Sequence, residues 1–416
     1  MSASPIEPDW AALRAEVFLP PGQISLDGNS LGLLSRPAQA AVLRVLADWA
    51  TQGIGGWSDA GWIDLAERTA AKLGPLLGAS AESLCLTAQT TGNLHQLLAT
   101  LFDPTHPDRR VIVGDALNFA SDTHALTSYL RQHQLDPHTH LRLIPSRDGF
   151  TLKLDDIISA LTEDVQLLLL PSVLYVSGQL LDIKAITAAA HARGILVGWD
   201  LSHSVGAVPH GLEADGADFA FWCNYKYLNA GPGAIGGLFL HPRHHQRDPG
   251  LAGWWGVHPR DRFALRPQHT PASGAARLQI GTPHILSLAP LVGSLELFTR
   301  AGGIASLRER SLELTTHFLT RAERDLTPLG LSIVTPRLPS ERGGHIALAH
   351  PSAGQICPAL RAVGVVPDFR APAVLRFAPT ALYNTLAEID QAIDHLVTIM
   401  ETKAHLAFPA PETATP

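Results

Sequence analysis

Lys226 ends an apolar run in the segment FWCNYKYLNAGPGAIGG, residues 221–237. An amine placed behind buried strand residues loses hydration, so its pKa falls and it becomes a nucleophile towards an aldehyde. Upstream, ILVGWDLSHSVGAVPH (195–210) closes a second apolar run on Asp200, and His203 follows. A carboxylate at the end of a buried strand is costly unless it meets a cation. A protonated pyridine nitrogen is such a cation. Together the two residues describe a pyridoxal phosphate site, with Lys226 forming the Schiff base to the cofactor aldehyde and Asp200 keeping the ring protonated as an electron sink. His203 would pack on the ring or hydrogen-bond Asp200. A loop lysine and a turn-capping aspartate are the bland alternatives, and both runs ending in the required residue weighs against them.

Other residue types suit the same cofactor. TAQTTGNLHQLL (87–98) sets Thr90 and Thr91 at the start of a helical pattern, where hydroxyls and free backbone N–H groups would hold a phosphate. An ordinary N-cap would look the same. In LNFASD (117–122), Phe119 could stack on a flat ring with Asp122 nearby, although a lone phenylalanine is more commonly core. Tyr225 could reach the phosphate or a reacting carbonyl, and a cationic neighbour would lower its pKa. Trp255 and Thr282 are suited to flank a phosphate or an aromatic substrate. Arg376, in LRFAPTALYN (375–384), is suited to grip a carboxylate as a bidentate pair. Each of these three alone is more commonly a core tryptophan, a turn threonine or a surface arginine. HPRHHQ (241–246) supplies no closed ligand set, so no metal is expected there and a polar loop is.

These residues need elements to carry them. SLCLTA (83–88), RVIVGD (110–115), LRLIP (141–145), VQLLLLPS (165–172), ILVGWD (195–200) and DFAFWCN (218–224) read as buried strands. Helical patterns alternate with them, among them DIKAITAAAHARG, with Gly194 as the C-cap. That order predicts an α/β fold: a mostly parallel sheet with helices on both faces and ligands at the strand carboxyl ends. Residues 285–335 turn helical, and LSIVTP, GGHIALAH and VLRFAP with a closing helix LAEIDQAIDHLVTIM form a smaller α+β unit. The predicted division is 1–50 packing beside the C-terminal unit, 51–284 as the large cofactor-binding domain and 285–416 as the small domain. The tail AFPAPETATP is expected to fray.

The 416 residues suit two domains, and a formal charge of −7 gives no reason to expect nucleic acid or an anionic membrane as a partner. Cys85, Cys223 and Cys357 lie far apart, which suggests neither disulfides nor a metal site and fits a reducing cytoplasm. MSASPIEPDW lacks an apolar signal core, and no window approaches 18 apolar residues.

In this order LDGNSLG, TTGNLH, NFASD, WDLSHSVGAVP, YKYLNAGPG, GWWGVH and LRFAPTALYN resemble kynureninase, from about residue 20 to 400. The resemblance implies a fold-type I pyridoxal phosphate enzyme with a seven-stranded type of sheet. It implies a homodimer whose sites borrow residues from both subunits and which hydrolyses L-kynurenine to anthranilate and L-alanine in tryptophan catabolism. By the same resemblance Lys226 is the cofactor lysine and Asp200 the ring partner. Thr90, Thr91, Phe119, Asp122, His203, Tyr225, Trp255 and Thr282 match cofactor-site positions, and Arg376 matches the substrate-carboxylate arginine. Trp57 in GGWSDAGW resembles the bacterial members, which favours kynurenine over its 3-hydroxy form. Pro171 stands where a hydroxyl is usual, with Ser172 beside it, Ala120 replaces a usual proline, and Gly281-Thr282-Pro283 departs from the family pattern. A cysteine desulfurase-like lyase is a weaker fit, since Cys357 sits in a helical pattern and not in a flexible loop. A non-catalytic cofactor-binding protein is weaker still, because lysine, aspartate and arginine are all present.

Overall fold

The computed structural model describes residues 8–409. The N-terminal run MSASPIE, where the expectation about a signal segment falls, and most of the C-terminal tail lie outside the described residues. Seven strands form the main sheet in the order Leu84–Leu86, Gly236–Leu240, Phe219–Cys223, Leu196–Asp200, Val165–Pro171, Val111–Asp115, Leu141–Ile144. Neighbours from Phe219–Cys223 to Leu141–Ile144 run parallel. Gly236–Leu240 is antiparallel to both of its neighbours.

The strand VQLLLLP is buried at every position, as expected of a central strand covered on both faces. Its leucines divide between the two faces: Leu168 and Leu170 join one core with Trp199 and Trp222, while Leu167 and Leu169 join another with Phe219 and Phe221. Gly198 permits this packing, because a Cβ there would meet the Phe219 ring at 2.1 Å. The strand Gly236–Leu240 has no counterpart among the predicted strands. Its two glycines hide the β pattern, and packing demands them: a Cβ on Gly237 would meet the Trp222 indole at 2.4 Å, and one on Gly236 would meet Asn93 at 2.8 Å.

Helix Ile183–His191 starts on the Asp182 side chain, which accepts the Ala185 N–H. Its C-cap is Ala192, not Gly194. Gly194 follows in the left-handed region at φ +69, where it turns the chain into the next strand.

A third hydrophobic core, around Leu314, Phe318, Leu348, Phe377, Ile393 and Leu396, is separate from the two that sandwich the main sheet. It is roofed by a four-stranded antiparallel sheet in the order Asp368–Arg370, Val374–Phe377, Ile346–Ala349, Ser332–Ile333. Ile24 and Leu26 from the N-terminal segment enter this core, and Ile24–Ser25 pairs parallel with Val365–Val366. Helix Arg36–Gln52 follows a different course and lies along helix Ile285–Arg300. Leu288, Leu291 and Phe298 of that latter helix belong to the larger core. Among the described residues no helix is long and apolar enough to cross a membrane.

Candidate active site

The carboxyl ends of the parallel strands deliver the chemistry. Asp115 ends one strand, Pro171 the next, Asp200 the third and Cys223 the fourth. Lys226 lies in the bend just past Cys223, and its Nζ sits 2.8 Å from His203 Nε2. Burial draws the Lys226 amine below its ordinary pKa, the cations Arg376 and Arg370 act in the same direction, and Asp200 opposes them. Burial also holds His203 well below the usual imidazole value, with Lys226 adding to the effect. A neutral ring accepting from the amine satisfies Nε2, and Nδ1 is left buried without a partner.

Asp200 is 6 % exposed and accepts the Ser202 N–H at 2.8 Å. Burial raises its pKa and Lys226 lowers it. Two more buried acids stand close. Asp122, 1 % exposed, is raised by burial and by the charge on Asp200, while Asn118 Nδ2 at 3.3 Å and Ser121 Oγ at 3.4 Å oppose the rise. Asp115 is pushed up to about 7 by burial, with Asp200 adding to the shift. Asp115 and Asp122 both feel the charge on Asp200, and of the three acids only Asp200 is offset by Lys226; a protonated heterocycle nitrogen would supply the missing cationic charge. Of the two roles expected for His203, packing on the ring or hydrogen-bonding Asp200, the second is not formed here: its Nε2 bonds Lys226.

Three rings surround the amine. Phe119, at the N-cap of helix Ala120–Gln132, has its centroid 6.0 Å from Lys226 Nζ. It meets Tyr175 edge-on at 5.5 Å, and Tyr175 stands 6.2 Å from His203. Thr90 and Thr91 open helix Thr90–Leu101, whose first-turn N–H groups have no acceptor within the helix. This donor set, the unpartnered His203 nitrogen and the acid cluster fit a planar, anionic, pyridine-type aldehyde such as pyridoxal phosphate.

Tyr225 departs from expectation. Its pKa is raised, not lowered, because burial, the Cys223 thiol beside it and the Asp200 charge all disfavour the phenolate. Tyr225 and Trp57 line a cavity of about 730 Å³ walled by Trp49, Trp62, Pro283 and Ile285. Trp57 packs at a tilt against Trp255, with ring centroids 5.4 Å apart, and Arg262 covers the Trp255 ring at 4.2 Å. Thr282 lines a neighbouring cavity with Thr87, Gly92 and Asn93. Trp57 and Trp255 thus form a second group beside the Lys226 cluster, and Thr282 lines a cavity of its own.

Arg376 is buried on an inner strand of the C-terminal sheet, Val374–Phe377, which is paired on both sides. It donates to the Asp368 carboxylate and to the Tyr175 carbonyl at 2.8 Å. Pro171 pairs in register with Asp200, and Ser172 next to it binds the Asp200 carbonyl through its N–H at 2.9 Å and Ser204 Oγ at 2.6 Å. The histidine run 241–246 is not a simple polar loop. His244 is buried, and His244 and His191 each place Nε2 2.8 Å from Asp218. Among the described residues no group of histidine, cysteine and acid side chains is arranged to hold a metal. Tyr175, Asp115 and Asp368 were not singled out from the sequence. Tyr175 was reachable by the strand-end rule, since it follows VQLLLLP by a few residues. Asp368 was not, because its partner lies across a hairpin.

The fold and site define a pyridoxal phosphate-type protein of the class-V aminotransferase kind. A model described as aminotransferase class-V matches residues 26–327, and one described as kynureninase C-terminal domain matches residues 307–396. The chain is similar to the kynureninase of Geobacillus thermodenitrificans (strain NG80-2), 49% identical over 397 residues covering 95% of this chain and 92% of the relative. The kynureninase of Shouchella clausii (strain KSM-K16) is 44% identical, covering 96% of this chain and 93% of the relative. The chain belongs to the kynureninase family. In fold it is similar to a cysteine desulfurase from Thermococcus onnurineus NA1, with a TM-score of 0.80 at 16% identity, covering 96% of this chain and 100% of that one.

Proposed function

We propose that this chain, with pyridoxal phosphate as its cofactor, hydrolyses L-kynurenine between Cβ and the keto carbon, consuming one water and releasing anthranilate and L-alanine. When bound, the cofactor supplies an electron sink for the substrate's Cα and Cβ, which makes that bond breakable. The observation that carries the reading is the buried Lys226 amine at 2.8 Å from His203, with the Asp200 carboxylate inside the same cluster.

Each residue has a separate task. Lys226 Nζ, favoured as a free amine by burial, takes the proton from Cα. Asp200 holds the proton on the pyridine nitrogen, and Asp122 supports it. The Thr90 and Thr91 hydroxyls and the helix start bind the phosphate. Phe119 and His203 confine the ring. Tyr225 keeps its phenolic proton, because burial raises its pKa, so it serves as the acid that protonates the product side at Cβ. Arg376 binds the α-carboxylate. The indole of Trp57 meets the aryl group in a cavity whose walls are largely apolar, which favours kynurenine over its 3-hydroxy form.

Trp255 and Thr282 complete the site in a homodimer. Support for the dimer comes from the exposed apolar side chains Trp49, at 59 %, and Leu286, at 46 %, which rim the cavity beside Tyr225. Ile54, on the turn after helix Arg36–Gln52, is 86 % exposed. The three cysteines are free and buried, in keeping with a cytoplasmic setting.

The test is anthranilate fluorescence on adding L-kynurenine to the cofactor-loaded protein. Steady appearance of anthranilate with equimolar alanine is expected. Absence of both products, with the cofactor bound, would overturn the reading.

A further inference from the structure

The segment 26–32, LDGNSLG, carries no group that reacts, yet it touches both halves of the site. At one end the Ala378 N–H donates to the Leu26 carbonyl at 2.6 Å, which sews the segment to the strand of Arg376. At the other end the Gly32 N–H donates to the Tyr225 carbonyl at 2.8 Å. A Cβ on Gly32 would meet Asn229 Oδ1 at 2.1 Å and the Lys226 carbonyl at 2.4 Å, so only glycine lets the strap lie against the lysine loop.

Between these ends sits Ser30. Its Oγ donates to Asp368 Oδ2 at 3.3 Å and accepts from Arg376 Nη2 at 3.3 Å. One hydroxyl proton and one lone pair are thereby both used. Asp368 is fully buried and lies directly across the hairpin from Arg376 in the strand register. Its Oδ2 also takes the Arg370 guanidinium, through Nε at 3.1 Å and Nη2 at 3.0 Å, while Oδ1 has no partner. Asn29, with its amide nitrogen turned to Asp27 Oδ1 at 3.2 Å, brings its oxygen within 3.3 Å of Arg376 Nη1.

An arginine side chain has several rotatable bonds, and holding it still before the ligand arrives removes an entropy cost from binding. We propose that Ser30 and Asp368 are positioning residues for substrate recognition. They lock the Arg376 guanidinium in the orientation that receives the α-carboxylate of an amino acid. This rests on the assignment of Arg376 as the carboxylate site.

The test uses the cofactor-loaded enzyme and two competitive ligands: L-homophenylalanine, which has the aryl and amino-acid ends without the scissile ketone, and phenylpropylamine, its decarboxylated counterpart. In Asp368→Asn the preference for the carboxylate-bearing ligand should fall about tenfold or more, as for loss of a charge-assisted hydrogen bond. In Ser30→Ala it should fall about threefold, as for a neutral one. Phenylpropylamine affinity and the cofactor's visible absorbance should stay at wild-type values, KM for kynurenine should rise and kcat should hold. Asp368→Glu should restore part of the preference. An unchanged or larger preference in both variants, or an equal loss for the two ligands, would overturn the proposal. Arg376→Lys separates the two levels. If it keeps the full preference, the assignment of Arg376 falls; if it loses the preference while the Ser30 and Asp368 variants keep it, only the positioning role falls.

Discussion

The decisive residues work through burial more than through contact. Lys226 has His203 as its close partner, and the free amine is favoured because the surroundings are dry and carry Arg376 and Arg370. Asp115 shows the same physics with the opposite sign. Its carboxyl is raised from the ordinary 3.8 to about 7 by burial, so the folded apoprotein binds a proton that the unfolded chain has already released. Between those values stability through this group falls as pH rises. The unfolding free energy of apo Asp115→Asn, measured against wild type by urea titration, should therefore shift in the variant's favour as pH goes from about 4 to about 7. A constant difference across that range would mean Asp115 does not titrate in the folded state. Tyr225 shows where reading residues in order falls short. Lys226 beside it suggests a lowered phenol pKa, but the fold also sets Cys223 and Asp200 near the phenol and buries it, and those effects win.

Among the elements, the strands rich in leucine and valine were legible because burial on both faces leaves no polar alternation to confuse them. Gly236–Leu240 was not, since the close approach of Trp222 and Asn93 requires glycine where a strand pattern would show β-branched residues. Asp368–Arg370 was missed for another reason: DFR is too short to show a period, and its meaning lies in the register opposite Arg376. Helix Leu386–Glu401 was plain from its spacing, and its start carries a capping box in which Thr385 accepts from the Glu388 N–H and Glu388 accepts from the Thr385 N–H. Glu388 also pairs with Arg14 at 2.7 Å, tying the N-terminal segment to the small core. Thr385→Ala should cost about 1 kcal/mol in chemical denaturation. A change near zero would mean that the Arg14 pair alone fixes this helix start. Gly32→Ala acts on the lysine loop, so it should weaken cofactor retention on dialysis. Wild-type retention would show that the strap can yield.

At the scale of the molecule, the large core supplies the strand ends and the smaller one brings Arg376 to them. Sequence periodicity outlined both, but not the course of helix Arg36–Gln52, which lies along Ile285–Arg300 and carries Trp49 to the rim of the cavity beside Tyr225. Which face a helix buries depends on partners far away in the chain. If that rim is the subunit interface, Trp49→Glu and Ile54→Glu should convert a dimer into monomers in sedimentation velocity and lower activity at the same time. Monomers with full activity would show that each subunit's site is complete alone.

The central claim is that the Lys226 amine is the point of attachment for the coenzyme that makes kynurenine cleavable. Borohydride reduction of the loaded protein followed by peptide mass spectrometry tests it most directly. The account predicts a phosphopyridoxyl mass on the peptide carrying Lys226, absent from Lys226→Ala, which also releases no anthranilate. The same mass on another lysine, or anthranilate release by Lys226→Ala at the wild-type rate, would contradict it.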